Sequence, residues 1–229
     1  TRAGFAVCDA IGGMTSAFAI ASALYQRTHT GQGQCIDVSM LDSTLAFLSP
    51  LVSEHTITGH VHGQYGNQAI SRRPTANLFK VGGDHLLLAV NTEKQFQALM
   101  QSIERTDILD DPRFVDWHGR TKHEHELRQI IEEAFATADV ITWEQRLAQA
   151  GAPASQVRTI AEAIWLPQME HREVLQTVES PFGELTLIGS GFQLAHGGGS
   201  IETPPVAPGT HAHEILAEAG YDKSEIEDF

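Results

Sequence analysis

A segment of small and apolar residues, 14–27, places the strongest limit on how this chain can fold. Its sequence is Met-Thr-Ser-Ala-Phe-Ala-Ile-Ala-Ser-Ala-Leu-Tyr-Gln-Arg, and it follows the glycine pair Gly12-Gly13. Alanine has the highest helix propensity, and a helix that is apolar around its whole circumference is normally buried. We therefore predict a closely packed, buried helix that the chain enters through the two glycines.

Asp9 stands just ahead of this segment and has no basic residue close to it in the sequence. Residues 4–8 before it are uncharged, and Ala10 and Ile11 follow it. Aspartate is among the commonest N-cap residues, so capping is the simplest role for this side chain. A helix N-terminus also favours a negative charge. The same position therefore suits a carboxylate that takes part in a reaction.

A glycine-rich turn at residues 31–34 follows the predicted helix and leads into two further elements. The short apolar stretch Cys35–Val38 is predicted to be a strand, and Ser39 or Asp42 then opens a second apolar helix. This order of loop, helix, strand and helix suits the edge of a parallel α/β layer.

The motifs of this region and of the rest of the chain together resemble family III CoA-transferases. They are Gly-x4-Asp-x2-Gly-Gly at 4–13, Arg-x2-Thr-Gly-x-Gly-Gln-x-Ile-Asp-Val-Ser-x-Leu-Asp at 27–42, Asp-Pro-Arg-Phe at 111–114, Gly-Ala-Pro-Ala at 151–154 and Gly-Thr-His-x-His-Glu-Ile-Leu at 209–216. Each motif is short, but their order and spacing extend over essentially the whole chain.

The resemblance implies an α/β fold, with a partial Rossmann-like large domain and a smaller α+β domain. The expected division is 1–53 for the rest of the large domain, 54–74 for a connector, 75–165 for the small domain and 166–229 for a return to the large domain. It also implies that the first half of the fold, with most CoA contacts, precedes Thr1, so that we expect the C-terminal part of a longer polypeptide. Relatives form interlinked homodimers, and we expect one here.

The same resemblance assigns roles to individual residues. Asp9 falls at the position of the family's nucleophile, which transfers CoA from an acyl-CoA thioester to a small carboxylic acid through an aspartyl intermediate. Gly12 and Gly13 are expected to stabilise the oxyanion with backbone N–H groups at a helix N-terminus. Coenzyme A is then a substrate, and no permanently bound cofactor is expected.

A polar segment, 65–68, corresponds to a glycine-containing loop that lies over the active site in this family. Tyr65, Gly66, Asn67 and Gln68 are therefore expected to line the acyl pocket. A longer run of glycines, found in part of the family, is absent here, so the sequence assigns no acceptor acid. The nearby Arg72 and Arg73 suit either bidentate pairing with a carboxylate or phosphate or simple solvation.

Two other functions are compatible with the same residues. An α-methylacyl-CoA racemase shares the fold and Asp-x-x-Gly-Gly, and uses the aspartate as a proton-transfer base beside an upstream histidine. A non-catalytic fragment that packs against a partner half is the third interpretation. The sequence leaves this choice open.

Composition excludes several other classes. Lys and Arg total 15 against 29 Asp and Glu, a net charge of −14, which argues against nonspecific nucleic-acid binding. No run of about 18 consecutive apolar residues predicts a membrane span. The two cysteines, Cys8 and Cys35, have no metal or Cys-x-x-Cys spacing, which is typical of reduced thiols and of a cytoplasmic protein.

The twelve histidines raise the question of a metal site. His60 and His62 are two residues apart, as are His211 and His213, but no His-Glu-x-x-His motif or Cys/His ligand set occurs. We therefore expect solvated or capping histidines and no metal.

The middle and C-terminal parts carry clear local signals. We predict two strands, 77–81 and 85–90, around a Gly-Gly-Asp turn. Three helices with apolar faces follow, one from Thr92, one at 123–137 and one from Thr142 to Gly151. A second hairpin, 174–178 with 185–188, and a last helix, 211–219, complete the prediction.

Overall fold

The computed structural model describes residues 3–227, in two compact units divided between Gly66 and Asn67. The first unit contains three helices, α1 (Val7–Thr30), α2 (Met40–Phe47) and α3 (Ser49–Thr58). Helices α1 and α3 both end at a glycine in the left-handed region, Gly31 and Gly59. Glycine adopts this conformation without a steric penalty.

Helices α1 and α2 pack against each other at Gly12, which is buried. A Cβ atom at this position would lie 3.3 Å from Cγ of Met40, so the absent side chain permits the close approach. Ser39 caps α2, since its Oγ accepts a hydrogen bond of 3.2 Å from the backbone N–H of Asp42.

Two predictions for this unit are wrong, and a helix extends into the predicted connector. Helix α1 begins at Val7, before the glycines, because residues 7–11 continue the helix without a break. No strand forms at Cys35–Val38, since no other described segment supplies a ladder of hydrogen bonds. The first residues of the predicted connector 54–74 belong to α3, which extends to Thr58.

Helix α1 also differs from its prediction in burial. Met14, Phe18 and Tyr25 are 76%, 76% and 70% exposed, and Gly12 is the one buried residue among the described positions of α1. By length and composition α1 could cross a membrane, a test that core helices of soluble proteins also pass.

The second unit contains an antiparallel three-stranded sheet in the order β1 (Leu78–Val81), β2 (Asp84–Leu88), β3 (Ala154–Gln156). The β1–β2 hairpin confirms the two predicted strands, and Gly82 has a φ of +61° in its turn. The short strand β3 was not predicted. It pairs with β2 through Leu86, Leu87 and Leu88.

Four helices cover this sheet. They are α4 (Glu93–Ser102), α5 (Trp117–Lys122), α6 (Glu124–Phe135) and α7 (Val140–Ala150), with a 3₁₀ turn at Thr106–Leu109. The three predicted helices are confirmed as α4, α6 and α7, although α7 begins at Val140 rather than Thr142, and α5 was not predicted. Thr92 forms a capping box with Gln95 at the start of α4. The core consists of buried residues from the sheet and helices: Phe79, Val81, Leu86, Leu88, Val90, Phe96, Leu99, Met100, Ile103, Ile108, Phe114, Leu127, Ile131, Phe135, Val140, Trp143, Leu147 and Ala152.

The remaining elements of this unit are mostly short. They are α8 (Ile160–Ala163), α9 (Pro167–His171), the hairpin β4 (Leu175–Ser180) and β5 (Gly183–Ile188), α10 (Ala212–Glu218) and α11 (Lys223–Glu227). The predicted hairpin and last long helix are confirmed, and the short helix α11 follows them.

The fold is thus mixed α and β, and every strand pair in the described residues is antiparallel. The Rossmann-like large domain stays a prediction. The four-part domain division also stays a prediction, since the contacts divide the chain once, inside the predicted connector.

Candidate active site

Asp9 lies in the first turn of α1 and is exposed. The helix has Ala6 as its N-cap, and the N–H of Ala10 donates to the Ala6 carbonyl at 3.1 Å. Asp9 is therefore a helical residue and not the N-cap considered from the sequence. Its carboxylate lies near the positive end of the helix dipole, which stabilises an anion there.

A surface cavity of about 600 Å³ adjoins this carboxylate. Its lining is local, since it consists of residues 3–9 in the loop before α1 and in the first turn. Gly4 has a φ of +83° in that loop, a conformation that suits glycine. Among the described residues, none forms a hydrogen bond or an ion pair with the Asp9 side chain.

Gly12 and Gly13 lie in the second turn of α1, not at its N-terminus as predicted. In an α-helix, N–H groups at such positions point to carbonyls four residues earlier. The backbone N–H groups of Gly12 and Gly13 are therefore not available for the oxyanion contacts that were expected of them. Gly12 instead allows α2 to approach, whereas a Cβ on the exposed Gly13 would contact no neighbouring element of the described structure within 4 Å.

Tyr65 and Gly66 belong to the first unit, in a folded loop after α3. The phenol oxygen of Tyr65 lies 3.4 Å from Nε2 of His60 and accepts a hydrogen bond of 3.4 Å from the N–H of Gly63. Gly66 has a φ of +61°. Neither residue lines the cavity at Asp9, so their role in an acyl pocket stays a prediction.

Asn67 and Gln68 belong to the second unit, where Asn67 is exposed and Gln68 is half-buried. In the same stretch, the guanidinium of Arg73 lies 4.2 Å from the centre of the Trp117 ring, and Arg72 has a φ of +54°. The Arg73 contact is a cation–π interaction. It gives this arginine a packing role in the second unit.

The Asp-Pro-Arg-Phe motif also proves to be structural. Asp111 pairs with Arg113 at 2.7 Å, and this pairing lowers the Asp111 pKa to about 2. Arg120 is buried and donates both to Phe114 O, at 2.6 Å, and to the carboxylate of Glu93, at 2.8 and 2.9 Å. These contacts fix the segment after the 3₁₀ turn.

Glu144 and Arg158 form another close ion pair, between α7 and the segment after β3. Hydrogen bonds from Arg158 lower the Glu144 pKa to about 2, with help from the backbone N–H of Gln156. Asp111 and Glu144 thus serve the structure of the second unit through paired charges. Asp9 differs, since its carboxylate has no described partner.

Sequence reasoning overlooked Glu54. Its side chain, from the last turns of α3, comes together with those of His60 and His62. The spacing Glu-x5-His-x-His was visible, but only the return of the chain after Gly59 brings these groups together.

The sequence model that describes CoA-transferase family III matches residues 1–214 of this chain. The chain belongs to CoA-transferase family III. The resemblance drawn from the motifs is thereby confirmed.

Two members of the family illustrate the similarity. Acetyl-CoA:oxalate CoA-transferase of Acetobacter aceti is 33% identical over 172 residues, which cover 75% of this chain and 44% of that protein. Succinyl-CoA–D-citramalate CoA-transferase of Chloroflexus aurantiacus is 25% identical over 219 residues, which cover 95% of this chain and 54% of that protein. The chain spans about half the length of such relatives.

Solved structures show the same fold. A CAIB/BAIF family protein from Brucella suis matches with a TM-score of 0.78 at 23% identity, over 95% of this chain and 56% of that one. Rv3272 from Mycobacterium tuberculosis matches with a TM-score of 0.75 at 22% identity, over 91% of this chain and 55% of that one.

Proposed function

We propose that the protein transfers CoA from an acyl-CoA thioester to a small carboxylic acid, with Asp9 as the nucleophile. Family membership supports this class of reaction. The single observation in the structure that carries the assignment is the carboxylate itself. It is exposed, lies at the positive end of a helix beside a cavity, and has no described partner.

The proposed reaction proceeds through covalent catalysis. The Asp9 carboxylate attacks the thioester carbonyl, the C–S bond breaks, and CoA thiolate leaves an acyl-aspartyl anhydride. The thiolate then attacks the aspartyl carbonyl, which releases the donor acid and forms an aspartyl-CoA thioester. The acceptor carboxylate repeats the first step on this thioester, and CoA thiolate attacks the new acyl group, which regenerates Asp9.

Each of these steps develops an oxyanion at a tetrahedral carbon. The structure offers the N–H groups of Cys8 and Asp9 in the first turn of α1, which have no acceptor within the helix by helix geometry, and the dipole of a 24-residue helix. A preorganised positive potential at the reacting carbon lowers the barrier. In this proposal the first turn takes over the role expected for Gly12 and Gly13.

The proposal also requires a surface that packs against the exposed apolar face of α1. Its exposed apolar side chains form a patch of the kind that soluble proteins usually bury. We propose that another part of the whole protein, or a second copy in an interlinked homodimer, covers this face. The family resemblance supports this arrangement.

The decisive experiment compares Asp9→Asn with Glu214→Gln in the whole protein. Both residues are exposed carboxylates in the first turn of a helix, so the second variant controls for loss of such a charge. The assay follows CoA transfer from acetyl-CoA or succinyl-CoA to a panel of acids. Oxalate, citramalate and mesaconate come first, since these acids appear in the names of relatives.

We expect Asp9→Asn to abolish transfer and Glu214→Gln to leave it unchanged. Hydroxylamine should trap a covalent adduct on the peptide that contains Asp9. Retained transfer in Asp9→Asn would overturn the assignment. An Asp9-dependent exchange of the α-proton of a 2-methylacyl-CoA in D₂O, without CoA transfer, would instead favour the racemase.

A further inference from the structure

Three potential metal ligands come together at the end of α3 and in the loop that follows it. One nitrogen or oxygen atom from each of Glu54, His60 and His62 lies within 4.8 Å of the other two. Two imidazoles and one carboxylate form a donor set that suits Zn²⁺ and the neighbouring divalent transition metals. All three residues belong to the first unit.

The environment of His62 is the strongest sign of a bound ion. Both of its ring nitrogens are shielded from solvent, and neither makes a hydrogen bond to any residue that the structure describes. Its Nε2 nevertheless lies 3.3 Å from Oε2 of Glu54, close enough for a charge interaction but without hydrogen-bond geometry. A buried polar atom left without a partner is unfavourable, and a cation between Nε2 of His62 and the Glu54 carboxylate would give both atoms a partner.

The spacing of these atoms fits a metal ion. With bonds of about 2.0–2.1 Å, two ligands of tetrahedral Zn²⁺ are about 3.3–3.4 Å apart. The distance of 3.3 Å between His62 and Glu54 already matches this edge. The third atom lies within 4.8 Å, so a side-chain movement of less than about 2 Å completes the triangle.

The loop is also held in a way that presents the ligands. Gly59, with a φ of +74°, ends α3 and turns the chain back. Nδ1 of His55 contacts the carbonyl oxygen of His60 at 2.9 Å, and the phenol of Tyr65 lies 3.4 Å from Nε2 of His60. Such outer contacts fix the orientation of ligating rings.

We propose that Glu54, His60 and His62 bind one divalent transition-metal ion, with water completing its coordination. The ion would fasten the loop 59–65 to the last turns of α3. This site is separate from the CoA chemistry proposed at Asp9, since none of its ligands lines the cavity there.

The test is a titration of the full chain, free of any affinity tag, with Zn²⁺ and with Co²⁺ as an optical probe. Three variants are compared with the wild type: His62→Gln, Glu54→Gln and His213→Gln. The last is a matched control, because His211 and His213 have the same spacing and stand next to Glu214. Circular dichroism verifies that each variant keeps its helix content.

We expect one Zn²⁺ per wild-type chain and visible absorption bands of tetrahedral Co²⁺. His62→Gln and Glu54→Gln should each weaken binding at least tenfold, whereas His213→Gln should leave it within twofold. Chelation of the ion should also speed cleavage at Tyr65 by chymotrypsin in the wild type and in His213→Gln, but not in His62→Gln or Glu54→Gln. Absence of stoichiometric binding, equal affinity in His62→Gln, or an equal loss in His213→Gln would overturn the proposal.

Discussion

In the second unit, most of the large apolar side chains between Ala76 and Ala152 are buried in a core, whereas in the first unit the large side chains of α1 face solvent. Gly12 and Ser43 are the buried residues of the first unit among its described positions. The second unit encloses its own core with a sheet and four helices. Among its described residues, the first unit has three helices and no sheet.

This contrast shows that helix formation and core burial depend on different interactions. A helix forms from local hydrogen bonds and propensities, so α1 is regular even where it is exposed. A core needs elements that are distant in sequence to meet, and burial supplies most of the stabilising free energy. We therefore expect the second unit to be stable by itself and the first to depend on contacts that its own residues do not supply.

The largest expected effect concerns association. Without a cover for α1, the 229-residue chain by itself should self-associate through this helix, since exposed apolar patches promote association. Phe18→Glu should reduce this association, because Phe18 is 76% exposed. Light scattering coupled to size exclusion measures both. A well-folded, monodisperse wild-type monomer would contradict this prediction.

Replacing one buried and one exposed phenylalanine by alanine tests the same difference between the two units. Phe135 is fully buried and packs against Phe79 and Trp143, with ring centres 6.0 and 5.1 Å apart, so Phe135→Ala should cost about 3–5 kcal/mol. Phe18→Ala should cost less than about 0.5 kcal/mol, as a surface change, at protein concentrations low enough to keep the chain monomeric. Urea unfolding followed by tryptophan fluorescence measures the first cost, and far-UV circular dichroism the second. Equal costs would mean that α1 is buried in solution.

Substitutions at the neighbouring glycines of α1 should change stability by smaller amounts, in opposite directions for Gly12 and Gly13. Gly12→Leu should destabilise the α1–α2 pair by about 1–3 kcal/mol through overpacking against Met40. Gly13→Ala should stabilise α1 by about 0.5–1 kcal/mol, because a Cβ there would contact no other described part of the chain within 4 Å. Thermal unfolding followed at 222 nm measures both changes. If both variants were stabilising, the contact at Gly12 would not be tight in solution.

The smallest effect concerns the acid stability of the second unit. The Glu144 pKa is lowered from 4.5 to about 2, so the ionised carboxylate stabilises the folded state above pH 4.5. That stabilisation is lost as the pH falls from 4.5 toward 2. Glu144→Gln should therefore be less stable than wild type at pH 7 and approach it near pH 3. Urea midpoints measure the difference.

Glu184→Gln is the control for this pH series, since Glu184 is an exposed carboxylate of β5 without a described ion pair. Its midpoint should follow that of the wild type at each pH. A constant difference between Glu144→Gln and wild type from pH 7 to pH 3 would mean that the pairing with Arg158 adds no stability.

The sequence predicted the second unit well because its signals are local. Thr92 with Gln95 forms a capping box, and Gly151 ends α7 in the left-handed conformation. The glycine turn at Gly82 joins two strands that are neighbours along the chain. Strand β3 was missed, since its three residues are defined by pairing with β2, more than sixty residues earlier.

The first unit was predicted less well because its features depend on distant partners. Burial of α1 and a strand at Cys35–Val38 both require elements that the described residues do not supply. The glycines were interpreted as a helix boundary, yet Gly12 lies inside α1, where its small size matters for packing. Asp9 was named through family resemblance, and the structure places it on a helix rather than before one.

The attachment of α1 at Gly12 also has a mechanical consequence. At 1.5 Å of rise per residue, Asp9 lies about 4.5 Å from this contact and Thr30 about 27 Å from it. If α1 pivots at Gly12 by about 5°, Asp9 moves by about 0.4 Å and Thr30 by about 2.4 Å. Rotation about Gly12 therefore moves the far end of the helix much more than Asp9. The C-terminal end of α1 can adjust to a neighbour while Asp9 nearly keeps its position.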